Sequence, residues 1–386
     1  MTIQQVNYEG MDRKKRYALR AGLETAGSIK RLGMEEIPWT RGESYHAIRV
    51  PGGIILSVPE GLGTKNEAAD KYRAKLQVAQ EVIGQFADFS QTAKVLADRV
   101  SSLYKGIAQC NVAMNANDII TSGVSPAEFM MHLDVGTKWL SNEQRWFDLV
   151  DGTKNACKLA GCCWGGGETA ELNTLPPDVA TLSGMMCGFT NGELINPASI
   201  LDDDILVAMH SSGPHSNGYT GLRDLAEKLP QGYLTIVPGT NKTFGEMILA
   251  PTNIYVAAVE RCLAFNVRIH GIFNITGHAF CKLMRPEQPH AYVIDDLPHL
   301  PLFDAIQQWT GADNKRMLRT FNCGAGLIFA CPSEDLPNVF NAMDMADSSQ
   351  CPFRAWKCGR VEASSTRQVH IREWKVQYGP EDLQIR

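Results

Sequence analysis

The apolar run Gly53-Ile54-Ile55-Leu56-Ser57-Val58, closed by Pro59, passes directly into Glu60-Gly61-Leu62-Gly63-Thr64-Lys65. An alanine- and lysine-rich stretch without proline, 67–86, follows. A buried strand, a glycine turn and a helix in immediate succession need a sheet to join and a helical layer to cover it, so all-helical and all-strand folds are excluded. The alternation continues. Residues 90–103 and 106–123 read as helical, 127–135 as a strand, and 143–161 as a helix leading into a tight glycine turn. Beyond Gly188-Phe189-Thr190-Asn191-Gly192 and the acidic run Asp202-Asp203-Asp204, residues 205–209 read as a buried strand. A helix follows over 220–229, where Leu222, Leu225 and Leu229 recur at helical spacing. A second helix is expected over 251–265 with Pro251 in its first turn, and a further strand over 326–331. The expected fold class is mixed α/β (α+β), in two domains, 36–190 and 191–386. They are preceded by a polar, basic arm, 1–35, whose residues 17–31 read as a helix.

Composition narrows function by exclusion. A chain of 386 residues with 44% hydrophobic and 20% charged residues can bury two cores and is not a disordered or fibrous sequence. A net charge of -5 with scattered Lys and Arg offers no electrostatic footprint for nucleic acid. Eleven cysteines without a CxxC pair indicate neither a zinc site nor a disulfide framework. Residues 1–16 are polar and no stretch approaches the ~18 apolar residues of a membrane span. The expectation is a soluble, cytoplasmic protein without nucleic-acid or membrane partners.

Several segments can carry chemistry. A glycine turn between a strand and a helix lets the backbone approach phosphate, and the helix start presents unpaired amide donors. Gly61, Gly63, Thr64 and Lys65 form one such place; Gly165-Gly166-Gly167-Glu168-Thr169-Ala170 forms another, with a carboxylate suited to Mg²⁺. Neither has Walker A spacing, and a lone glycine turn more commonly serves chain reversal. Asn117-Asp118 lies in the apolar stretch 112–124, where a buried carboxylate needs a partner or a metal; a cap or hydrogen-bonded turn is the plainer alternative. His215-Ser216-Asn217-Gly218 sets an imidazole, a hydroxyl and an amide at a helix entry, suited to an anionic or amide-bearing ligand or to a simple N-cap. Thr320-Phe321-Asn322-Cys323-Gly324 offers a polar wall before a strand. His270 and His278 have no nearby Cys or carboxylate cluster to make a metal site, and no GxSxG elbow is present.

Taken in order, Gly166-Gly167-Glu168-Thr169-Ala170-Glu171, residues 210–219, Leu249-Ala250-Pro251-Thr252-Asn253-Ile254-Tyr255-Val256, Ile275-Thr276-Gly277, Arg319-Thr320-Phe321-Asn322-Cys323-Gly324 and Ala355-Trp356-Lys357 with Gly359 resemble successive motifs of the AIR synthetase (phosphoribosylformylglycinamidine cyclo-ligase) family. The likeness runs from about Gly53 onward. It implies an N-terminal domain whose strands join a barrel spanning a homodimer, a C-terminal α/β domain packed against it, and an active site between them. It also implies ATP-dependent phosphorylation of a formyl amide oxygen on a phosphoribosyl substrate, with Mg²⁺, followed by ring closure in purine biosynthesis. Residue by residue, the resemblance assigns Gly61, Gly63, Thr64, Lys65, Asn117, Gly166, Gly167 and Thr169 to ATP, and Glu60, Asp118 and Glu168 to the metal. His215, Ser216, Asn217, Gly218, Thr276 and Asn322 fall to the substrate, with Lys65, Asp118, His215 and Asn217 as the reacting set.

The departures from the family pattern are local. Glu60 replaces an aspartate, Cys110 stands where another aspartate is expected, and a run of glycines is reduced to Gly277-His278-Ala279-Phe280. A thiol is a poor ligand for Mg²⁺. These changes leave open two other readings: an ATP-dependent ligase or kinase of the same fold with a different substrate, and a non-catalytic nucleotide-binding paralogue.

Overall fold

The computed structural model describes residues 8–84, 90–344 and 354–383. Its first sheet takes β1 (Glu35–Glu36), β2 (His46–Val50), β3 (Gly53–Gly61), β4 (Pro126–Val135), β5 (Cys163–Glu171) and β6 (Ala180–Thr190) in the order β1-β2-β3-β6-β4-β5. All neighbours are antiparallel except β4 and β5. Side chains alternate across such strands, so Ile54, Leu56 and Val58 point into the core while Ile55 is 42% exposed. The buried face is covered by α2 (Lys65–Gly84), α3 (Ser90–Ile119) and α4 (Glu143–Ala160), with α3 lying across β3 and β6. The opposite face leaves Ile55, Met185 and Phe189 exposed.

The second sheet contains β7 (Ile205–His210), β8 (Gly271–Asn274), β9 (His290–Ile294), β10 (Ala325–Cys331), β11 (Ala355–Ala363), β12 (Gln368–Ile371) and β13 (Val376–Tyr378), ordered β13-β12-β9-β11-β7-β10-β8. Every residue of β10 is buried, as its continuous apolar run requires. Around this sheet lie α5 (Tyr219–Lys228), α6 (Phe244–Ile248), α7 (Val256–Ala264), α8 (Pro301–Thr310), α9 (Asn314–Thr320) and α10 (Leu336–Asp344). Among the described residues, no helix is long and apolar enough to cross a membrane.

Four local expectations need correction. Pro59 does not end β3, which runs to Gly61; pairing with β2 stops at Ser57, so Pro59 sits where one side of the strand is an edge and a missing donor is tolerated. The two helices expected over 90–123 are a single helix, α3, with a short 3-10 turn at Ile120–Ser122. At Gly106, inside that helix, an added Cβ would lie 3.0 Å from Pro251 Cγ; the glycine makes room for the Pro251 ring of the second domain. Pro251 precedes α7 instead of opening it, since residues 251–255 are irregular and lie against α3, where Gln109, Cys110 and Asn117 hold the backbone of Thr252, Asn253 and Tyr255. In the N-terminal arm, α1 (Tyr8–Glu24) starts well before residue 17 and gives way to a 3-10 turn, Ala26–Leu32.

Candidate active site

At the end of β3 the chain turns through Gly61 and Gly63, the latter at φ 70°, and enters α2; this is the strand, turn and helix expected from the sequence. Beside this turn lies a cavity of about 360 Å³ walled by Glu60, Asp118, Lys282, Arg285, Ser44 and Lys15 of α1. Arg41 and Glu43 of the loop before β2 also line it, so five separate segments supply its charges. Asn115 on α3 accepts the Glu60 backbone N–H at 3.1 Å and donates back to Asn111 O at 3.0 Å, which anchors the end of β3 to the helix. Asp118 Oδ1 accepts Asn274 Nδ2 of β8 at 2.6 Å, leaving Oδ2 for the cavity. Lys282 donates to Thr276 Oγ1, and Arg285 Nη1 to Ser44 Oγ at 2.9 Å.

The electrostatics follow from burial. Desolvation, and then the neighbouring Asp118 charge, push Glu60 up to about 7. Burial lowers Lys282 to about 8, against the opposing pull of Asp118. Glu60 and Asp118 share this cavity with Glu43 and with four basic side chains, Lys15, Arg41, Lys282 and Arg285, an arrangement that can hold a polyphosphate by its oxygens and a hard cation by the carboxylates.

The turn leading to Lys282 retains a backbone that glycine normally serves. His278 has φ 64° and Ala279 φ 42°, both left-handed, so the residue replacement leaves strain in place of a changed path. The His278 side chain is buried, with Nε2 3.3 Å from Asp12 Oδ1 of α1. Burial and then the Arg285 charge hold His278 down to about 3, so the imidazole is neutral and pins the arm by packing and polar contact.

Other residues singled out from the sequence are placed elsewhere. Lys65 is fully buried, with Nζ donating to His215 O at 2.6 Å and Ala250 O at 2.8 Å; it fastens the two domains and does not open onto the cavity. Asn117 is likewise a clamp: Nδ2 donates to Asn253 O at 2.7 Å, and Oδ1 accepts Tyr255 N at 2.9 Å. Cys110 accepts Thr252 N at 3.3 Å in this same seam. Eight residues separate it from Asp118, about 12 Å along a helix axis. The thiol therefore stands beside Lys65, away from the carboxylate pair.

His215 is wholly buried, its Nε2 accepting Ser212 N at 3.3 Å. Desolvation, then the Lys65 charge, hold it down to about 3, so it is a neutral core histidine and not a solvent-facing base. Asn322 spends its amide on Gly213 O, Ser211 Oγ and Gly324 N, bracing the loop. Gly218 begins α5 at φ 76°, where a Cβ would strike Phe321 at 2.4 Å. Ser216 is half-buried, 3.4 Å from Thr252 Oγ1, and Asn217 Nδ2 is buried with no hydrogen-bond partner among the described residues. Thr276 does reach the cavity wall through Lys282.

Gly166, Gly167, Glu168 and Thr169 form part of an edge strand, β5, instead of a loop before a helix. An added Cβ at Gly167 would lie 1.8 Å from Met131 O, so close strand packing alone requires glycine there. In register, Glu60 faces Gly184, Gly184 faces Met131, and Met131 faces Gly167. That is three strand spacings, about 14 Å, so Glu168 does not join Glu60 and Asp118 within one chain. Among the described residues no group of three or more His, Cys, Asp or Glu forms a metal cage. Two oxygen-bearing carboxylates still fit Mg²⁺, which takes one or two carboxylates together with phosphate oxygens. Lys15, Lys282 and Arg285 were missed from the sequence; the signal for Lys282 was a lysine inside the apolar run Ala279-Phe280-Cys281-Lys282-Leu283-Met284.

Residues 80–190 match the N-terminal domain of the AIR synthase related protein family, and residues 202–372 match its C-terminal domain. A phosphoribosylformylglycinamidine cyclo-ligase of Symbiobacterium thermophilum is 34% identical over 369 residues, covering 92% of this chain and 94% of that protein. Solved structures share the fold at low identity. Thiamine monophosphate kinase of Aquifex aeolicus superposes with a TM-score of 0.52 at 14% identity, over 86% of this chain and 91% of its own. E. coli HypE, a hydrogenase maturation protein, gives 0.51 at 14%, over 71% and 78%. With both domains matched and a full-length relative at this identity, the chain belongs to the AIR synthase related protein family.

Proposed function

We propose that this protein is an ATP-dependent phosphoribosylformylglycinamidine cyclo-ligase that closes formylglycinamidine ribonucleotide to aminoimidazole ribonucleotide in purine biosynthesis. The observation that carries this reading is the cavity in which Glu60 and Asp118 face Lys282, Arg285 and Lys15, in a chain 34% identical to a relative of that name. An amide oxygen is a poor leaving group. Transfer of a phosphoryl group to it, followed by attack of the amidine nitrogen on the activated carbon, expels phosphate and closes the ring. Such chemistry is carried by positioning and charge neutralisation.

In this reading Glu60 and Asp118 hold Mg²⁺, which would neutralise phosphate charge, and the basic side chains orient the transferring group. The exposed turn at Gly61 and Gly63, with Thr64 at the start of α2, offers backbone donors to phosphate. Ser216 and the unspent amide of Asn217 face the substrate. The apolar face bearing Ile55, Met185 and Phe189 pairs with a second copy, and Gly166, Gly167, Glu168 and Thr169 on β5 serve the nucleotide across that dimer.

The test is incubation of the purified protein with formylglycinamidine ribonucleotide, ATP and Mg²⁺, following ADP and aminoimidazole ribonucleotide together. Equal yields of both support the cyclo-ligase; neither product from folded protein overturns it. The strained His278-Ala279 turn and the cavity lysine favour one alternative, a kinase or ligase of this fold with another substrate, which ADP release without ring closure on a different acceptor would reveal.

A further inference from the structure

Lys282 is 4% exposed, sits in an apolar run buried throughout, and donates to Thr276 Oγ1 in the cavity wall. Burying an ammonium is costly unless anions compensate it. Lys282, Glu60 and Asp118 line one cavity, and across it the two carboxylates favour the charged form of the lysine while Arg285 and Lys15 oppose it. Reciprocally, Lys282 is the cation that acts most strongly on Glu60. A side chain of this kind occupies, electrostatically, the position that a divalent cation on the same carboxylates would take.

We propose that Lys282 is the resident counter-cation of the Glu60–Asp118 pair and makes divalent-metal binding conditional on a polyphosphate. This rests on the reading of Glu60 and Asp118 as metal-holding groups. A metal ion arriving alone meets the field of this ammonium across the cavity, which opposes it. A polyphosphate arriving with the metal gives the ammonium an anionic partner, and that opposition is removed.

The experiment is titration with Mn²⁺ alone, by paramagnetic resonance and calorimetry, on the full-length protein and on Lys282→Met, then again with a non-hydrolysable ATP analogue present. Met is chosen because replacing a buried charge by an apolar chain of similar length is tolerated in many cores; Lys282→Gln provides a second neutral variant if Met disturbs folding, and circular dichroism checks both. Without nucleotide, the neutral variants should bind Mn²⁺ about tenfold more tightly or better, and Lys282→Arg should stay like the parent. With the analogue present, the advantage of the neutral variants should disappear. Equal affinity of parent and neutral variants for Mn²⁺ alone overturns the proposal. The reading beneath it fails separately, if Glu60→Gln with Asp118→Asn leaves Mn²⁺ affinity in the presence of the analogue unchanged.

Discussion

Glu60 and Lys65 belong to one short motif, yet the structure sends them into different environments. Glu60 opens onto a charged cavity shared by five segments, whereas Lys65 is closed into the seam between domains, its ammonium consumed by two carbonyls. A five-residue step from a strand end through a turn into a helix reverses the direction in which side chains project. The open region turns its charges toward a cavity and so can act on a ligand; in the closed region Lys65 and Asn117 spend their polar atoms on backbone groups across the seam and hold the domains in register.

The largest effect expected from this contrast is on the open side. Replacing Glu60 by Gln together with Asp118 by Asn should lower ADP release by about 1,000-fold even well below the melting transition, which itself falls because the buried Lys282 loses the anions that compensate it. A drop of less than about tenfold would show that the cavity is not the reacting centre. On the closed side, Lys65→Met should destabilise the fold by about 3 kcal/mol in urea denaturation, since His215 O and Ala250 O lose their donor. A raised KM for ATP with unchanged stability would break the contrast outright.

Smaller effects sharpen it. His278→Gly relieves a left-handed backbone but removes the contact to Asp12, so tryptic cleavage at Arg13 and Lys14 of α1 should become about fivefold faster while the melting temperature scarcely moves. Cleavage at the parent rate would mean that other contacts hold the arm. The smallest effect is a pH slope. Glu60 is raised from 4.5 to about 7, so between these values the folded chain keeps a proton that the unfolded chain has lost. Stability must therefore fall as pH rises through that window, by about 2 °C in melting temperature with metal removed by chelation. The slope should flatten in Glu60→Gln, and a slope that persists there would assign it to another group.

Much of the fold was legible where a period and a punctuating residue agree. The end of α4 was marked by Gly161, which is left-handed at φ 70°, and β7 and β10 by apolar runs of strand length. Legibility failed where composition points to one structure and packing demands another. The glycines of 165–167 suggest a loop, but they allow β5 to lie close against β4, where Gly167 has Met131 O in the space of a Cβ. Asn117 and Asp118 are consecutive, so the sequence offers them as a pair. On α3 they face different elements, one toward Tyr255 and Asn253, the other toward Asn274 and the cavity.

By itself the sequence determined the alternation of strands and helices, the strand–turn–helix at 53–84 and the presence of Glu60 and Asp118, because hydrophobic period and turn chemistry are local properties of the chain. Tertiary structure decided which polar residues remain available. The seam between the domains takes Lys65, Cys110, Asn117 and His215 out of reach, and the turn after His278 delivers Lys282 and Arg285 from more than 150 residues away to the same cavity as Glu60 and Asp118. Whether a charge is buried, paired or open depends on long-range packing, and no spacing along the chain encodes it directly.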